Sequence, residues 1–160
     1  MKSIWNFIWA FIIIGCGYSL KPPILSPYTS VASPVISNRT VKAGLEEILF
    51  DELVSCIKSE SNLKIVPENK AQLIIECQIT NYERTAQTYT ADQEVYTYQI
   101  SINASVTIKD NTTEESKVVY SGNLTGWATY NVNQETEDIG IRKATKKLSQ
   151  EIVKKVTVSW

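Results

Sequence analysis

Tyr96-Thr97-Tyr98-Gln99-Ile100-Ser101-Ile102-Asn103-Ala104-Ser105-Val106-Thr107-Ile108 is an unbroken alternation of apolar and polar side chains. Successive side chains of a β-strand point to opposite faces, so Tyr96, Tyr98, Ile100, Ile102, Ala104, Val106 and Ile108 share one face. Thr97, Gln99, Ser101, Asn103, Ser105 and Thr107 share the other. Such a strand belongs to a sheet with one face buried and the other wet or against a polar surface.

Working upstream, Leu73, Ile75, Cys77 and Ile79 alternate with Gln72, Ile74, Glu76 and Gln78, and a second strand is predicted there. Leu63–Val66 fits a short strand ending at Pro67. Before it, residues 31–36 fit a first strand, in which Pro34 needs an edge or bulge position. Downstream, Asp110–Ser116 is a polar turn. A strand runs from Lys117 towards Tyr130, with Val118, Tyr120, Leu124 and Ala128 in step. Gly122 and Gly126 within it suggest bulges or close approach.

Two segments change to helical spacing. After the turn and cap residues Ser37–Thr40, residues 41–58 place Leu45, Leu49, Leu53 and Cys56 on one side. Phe50, Val54 and Ile57 widen that arc, which fits either a broad core stripe or a flank covered by a protein partner. The last helix is predicted over 136–156, with Ile141, Ala144, Leu148, Ile152 and Val156 as its apolar stripe. Glu137 and Asp138 fall in its first turn, where the helix dipole favours anions. The order β-α-β-β-β-α predicts an α+β two-layer sandwich, two helices packed on one face of a roughly four-stranded mixed sheet.

The chain has 160 residues, enough for one domain with a sizeable core. Sixteen Lys+Arg against 17 Asp+Glu give a net charge of −1, so no global basic field points to nucleic acid. Histidine is absent, which excludes Ser-His-Asp and Cys-His catalysis, His-ligated zinc or haem, and histidine pH switching. Composition therefore points to a non-enzymatic domain with no metal and no cofactor.

At the N-terminus, Met1-Lys2-Ser3 is short and positive, and the apolar run Ile4–Ile14 stops at Gly15-Cys16-Gly17. A membrane-spanning helix needs about 20 apolar residues. This shorter run fits the h-region of a secretory signal. Ile13-Ile14-Gly15-Cys16 resembles a bacterial lipobox, so residues 1–15 are expected to be cleaved and Cys16 to carry lipid. Only Lys2 is lost with them, which moves the net charge to −2. A single acyl chain holds a protein marginally, and the three that such lipoproteins carry make release negligible. Residues 16–30 read as the lipidated N-terminus and a tether broken by Pro22, Pro23 and Pro27, and 31–160 as a single α+β domain. At about 3.3 Å per residue, the tether spans at most roughly 45 Å.

Several passages carry a family resemblance. They are Cys16-Gly17-Tyr18-Ser19-Leu20, then Pro34-Val35-Ile36-Ser37-Asn38-Arg39-Thr40 followed by Gly44-Leu45-Glu46-Glu47. Ala71-Gln72-Leu73, Ile79-Thr80-Asn81-Tyr82, Tyr98-Gln99-Ile100 and Gly126-Trp127-Ala128-Thr129-Tyr130 follow in order. From Cys16 onward the chain resembles the LptE family of lipopolysaccharide-assembly lipoproteins. That resemblance implies a two-layer α+β lipoprotein seated in the lumen of the outer-membrane β-barrel LptD. There it would support barrel assembly, plug the barrel and help deliver lipopolysaccharide to the outer leaflet. Only Cys16 maps onto a family functional residue. Gly17 in place of aspartate implies sorting to the outer membrane, on its periplasmic side. The rival reading is a lipid-tethered periplasmic module that binds a protein or the cell wall and is unrelated to lipopolysaccharide.

Other constellations carry less. Lys143, Lys146, Lys147 and Lys154 line the wet side of the last helix. Lipopolysaccharide presents phosphates and carboxylates, so Lys143 and Lys147 are candidate contacts, with Arg84 near the turn before the long strand. A solvated face whose cations suit the C-terminal half of a helix explains the same row. Cys56 and Cys77 both point to the core and fit either a disulfide or two buried thiols, while two thiols make no metal site. Ser55-Cys56-Ile57-Lys58 and Ser101-Ile102-Asn103 match two of the three motifs of penicillin-interacting enzymes, but K-T-G is missing. Glycosylation-type triplets at Asn38, Asn111 and Asn123 are bystanders beside a bacterial lipobox.

Overall fold

The computed structural model describes residues 27–113 and 115–158. The leader, Cys16 and most of the tether lie outside the described residues. Strand β1 is Ser30–Ala32, β2 is Val35–Asn38 and helix α1 is Leu45–Glu60. Strand β3, Lys64–Val66, leads into the long strands β4, Leu73–Tyr89, β5, Val95–Asp110, and β6, Lys117–Asn131. Helix α2, Glu137–Val158, follows.

Among the described residues the sheet has six strands, in the order β3-β1-β4-β5-β6 with β2 also on β4. β1, β2 and β3 pair parallel, whereas β4-β5-β6 is antiparallel, so the sheet is mixed as expected. Six strands replace the predicted four for two reasons. The short 64–66 segment is a sheet member. The first strand also divides at Ser33–Pro34, where Val31 faces Leu73 and Val35 faces Glu76. Four steps on one strand oppose three on the other, a bulge that accommodates a proline without a ladder N–H. Two contacts tie residues 28 and 29 to the sheet: the Lys64 N–H donates to the Thr29 carbonyl at 2.9 Å, and the Tyr28 hydroxyl donates to Asp110 at 2.8 Å.

Helix α1 begins at Leu45, four residues after the predicted start. Asn38 prevents an earlier start. Its Oδ1 accepts from the Thr40 N–H at 2.9 Å and the Thr40 hydroxyl at 2.8 Å, while Nδ2 donates to the Lys42 carbonyl at 2.8 Å and to Glu46 at 2.9 Å. A side chain that satisfies turn backbone in this way competes with helix formation. Gly44, at φ 81°, then enters the helix from the left-handed region that glycine tolerates best.

The core lies between the helices and the inward face of the sheet. Ile100, Ile102, Ala104, Val106 and Ile108 of β5 are buried against Leu45, Leu49 and Leu53 of α1 and Ile141, Ala144, Leu148 and Ile152 of α2. Full burial of each large aliphatic side chain contributes about 1.5–3 kcal/mol. Gly126 lets α2 approach β6 closely: a Cβ there would stand 2.3 Å from the Ala144 carbonyl oxygen. The β5–β6 irregularity falls at Ile108/Lys109, away from both strand glycines.

Candidate functional site

Because paired residues point the same way, the strand registers define the outward face. Thr97, Gln99, Ser101, Asn103, Ser105 and Thr107 of β5 face outward, beside Asn131, Thr129, Trp127, Thr125, Asn123 and Ser121 of β6. On β4 the neighbours are Glu76, Gln78, Asn81, Glu83, Thr85 and Thr88. The side chains are partly knitted together. The Thr125 hydroxyl donates to Asn103 Oδ1 at 2.6 Å, the Thr88 and Thr97 hydroxyls lie 2.7 Å apart, and Lys109 pairs with Glu76 at 2.5 Å. The result is a broad hydroxyl- and amide-rich surface over the whole length of three strands.

At the free edge of β6 this face meets α2. Trp127 is 49% exposed, and Lys147 Nζ lies 4.3 Å from its ring centroid. Lys143, Lys146 and Gln150 complete a groove of ≈ 330 Å³ along Trp127–Thr129. Lys143 is held by Glu135, and that hydrogen bond keeps the Glu135 carboxyl below its usual range. The structure therefore brings Lys143 and Lys147 together and adds Trp127, which strand alternation alone placed on no site.

Arg84 is in a different place from the one predicted, and it is not isolated. β4 continues through it to Tyr89, and the register slips between Ile79 and Asn81. Before that slip odd-numbered residues face the core; after it Tyr82, Arg84 and Ala86 pair with Ile102, Ile100 and Tyr98 on the inward side. Arg84 lies over Tyr98, donates from Nε to the Tyr130 hydroxyl at 2.7 Å, and stands 3.6 Å from Glu137. Glu137 also accepts from Lys42 at 2.6 Å and from the Tyr82 hydroxyl at 2.9 Å. Those hydrogen bonds, Lys42 foremost, hold its carboxyl below the ordinary range. Burial and the bond to Glu137 push the Tyr82 phenol up. This network joins β4, β6, the turn before α1 and the start of α2.

Cys56 and Cys77 are both buried, and no disulfide joins them in the structure. Burial pushes Cys77 up to about 12, and Cys56 up to about 11 with help from Glu60 and Glu52. Among the described residues no cluster of three or more Cys, Asp or Glu is placed to hold a metal, and no helix is long and apolar enough to cross a membrane.

This architecture is a two-layer α+β domain with one polar sheet face, and several solved proteins share its fold. A hypothetical protein from Chlamydia trachomatis superposes with a TM-score of 0.60 at 14% identity, over 81% of this chain and 96% of that one. A protein from Xanthomonas campestris gives 0.59 at 12%, over 86% and 87%. An uncharacterized lipoprotein B from Nitrosomonas europaea gives 0.52 at 16%, over 86% and 87%. At such identities the likeness establishes the fold. No curated protein matches the chain. The model of the LptE family, described as lipopolysaccharide-assembly, matches residues 28–156, and the chain belongs to that family.

Proposed function

We propose that this chain is an outer-membrane lipoprotein, lipidated at Cys16, that seats in an LptD-like β-barrel and assists lipopolysaccharide transport to the outer leaflet. Family membership supports the pathway. The observation that carries the docking is the outward face of β4, β5 and β6, built mainly from Ser, Thr, Asn and Gln. A barrel of that kind has a polar, water-lined lumen. The hydroxyls and amides of that wall can exchange hydrogen bonds with such a lining, and of its two carboxylates Glu76 is paired with Lys109. Lys143 and Lys147 beside Trp127 supply cations for lipopolysaccharide phosphates at the rim of that face. Arg84 is left out of this contact, because Tyr98, Tyr130 and Glu137 already engage it. The role is one of binding and scaffolding.

Extraction of the full chain from outer membranes in mild detergent tests this reading. A stoichiometric complex with a large β-barrel is expected. Migration of the lipoprotein alone, with no barrel recovered, would remove it.

A further inference from the structure

β3 covers only part of the sheet edge. Its three residues pair with Ser30, Val31 and Ala32, and Pro67 then leads the chain away. Val35–Asn38 pairs with β4 on one side, and among the described residues no strand lies on the other. A strand with one neighbour leaves alternate N–H and C=O groups facing outward, the template used in β-strand addition. Beside this edge runs the flank of α1. Val35, Ile36 and Phe50 line a groove of ≈ 580 Å³ there, together with the carboxylates Glu46, Glu47 and Asp51. Val35 is 57% exposed and Phe50 37% exposed. Asn38 ties the end of β2 to the following turn and to Glu46, so the edge is already ordered to receive a strand.

We propose that the outer edge of β2 and the Phe50 flank of α1 take an extended segment of the barrel partner, added beside β2 in line with β3. The proposal rests on the barrel reading above. Charge and spacing define the segment. Among the described residues, three carboxylates and no basic side chain line the groove, so cationic residues fit it. In a strand, residues two apart share a face. The segment therefore carries an apolar side chain over Phe50 and a Lys or Arg two positions along, facing Glu47 and Asp51. Its backbone continues the sheet, and its affinity comes from main-chain hydrogen bonds as much as from side chains. This accounts for the wide apolar arc of α1: Ile57 is core, while Phe50 belongs to the partner.

Photo-crosslinking in cells, with benzoylphenylalanine in place of Val35, Phe50 or Asn103 of the full chain, tests it. The barrel is expected to link at Val35 and Phe50, on a segment with the apolar–cationic spacing described. Glu47→Lys with Asp51→Lys is expected to reduce the Val35 link by about fivefold or more, through loss of two charge pairs, while the Asn103 link persists. Barrel links at Asn103 alone would overturn the inference and leave the barrel reading standing. Links at none of the three positions would overturn both. A link from position 35 or 50 to residues 17–26 of the same chain would also overturn it.

Discussion

The Arg84 guanidinium lies 3.7 Å from the centroid of the Tyr98 ring, one strand away on the inward side of the sheet. Stacking on an aromatic face contributes about 0.5–2 kcal/mol, depending on how far water is excluded. Arg84 also donates to Tyr130 and is more than a third exposed, so Arg84→Ala is expected to cost about 1–2 kcal/mol. Arg84→Lys recovers only part of that, because an ammonium lacks the planar face. Urea unfolding of the three proteins measures both. Unchanged midpoints would return Arg84 to the pool of free surface cations.

The same network sets a dependence on acid. Glu137 is held below the ordinary carboxylate range by Lys42 and Tyr82, so its folded-state value lies below its unfolded one. Its contribution is complete above the unfolded value of about 4.3 and is lost as pH falls through the lower folded value. Glu137→Gln is therefore expected to be less stable than the parent at pH 7, with the gap narrowing as pH falls below about 4.3. Parallel stability curves over that interval would contradict the assignment.

Gly126 has no room for a side chain. An added Cβ would meet the Ala144 carbonyl oxygen at 2.3 Å and Leu148 Cβ at 2.6 Å, so α2 must move off β6. Gly126→Ala is expected to cost about 1–3 kcal/mol, the usual range for overpacking. Gly122→Ala is the control, because its nearest neighbour is the movable end of the Tyr120 side chain. Thermal unfolding of the pair separates the two, and equal effects would refute the close approach.

Lys143 and Lys147 are surface cations, the first paired with Glu135 and the second lying over Trp127. Exposed pairs of this kind are worth about 0–1 kcal/mol, so Lys143→Glu with Lys147→Glu is expected to fold almost as stably as the parent. Crosslinking to lipopolysaccharide should nevertheless fall. Undiminished crosslinking by the folded double variant would leave the lysine row as a solvated face.

Most of the fold was legible because the sequence alternates wherever a sheet face is buried. Ile100, Ile102, Ala104, Val106 and Ile108 are all core residues, as the period requires. Both helix stripes are buried, including Ile141, Ala144, Leu148, Ile152 and Val156. What escaped were local departures from the period. The slip between Ile79 and Asn81 exchanges the faces of β4, so a strict alternation puts Arg84 on the wrong side and hides its meeting with Tyr98 and Tyr130. Asn38 makes its turn hydrogen bonds through a side chain, which an apolar pattern cannot register, and α1 starts late as a result. Trp127 has an outward strand position and still reaches Lys147 of α2, because β6 is an edge strand. The position of Glu137 in the first turn of α2 suggests only a helix-dipole anion; its partners Lys42 and Tyr82 come from distant parts of the chain.

In the proposed complex the uncharged outer face of β5 lies against the inside of a barrel. Ser101→Arg with Ser105→Arg places two cations in the middle of that face, where they remain solvated in the isolated domain. The measurement is recovery of the barrel with the lipoprotein from detergent-solubilised outer membranes, beside urea unfolding of the same variant. Stability within about 0.5 kcal/mol of the parent and loss of the barrel from the purified material is the predicted result. A folded double variant that still brings down a full equivalent of barrel would contradict it.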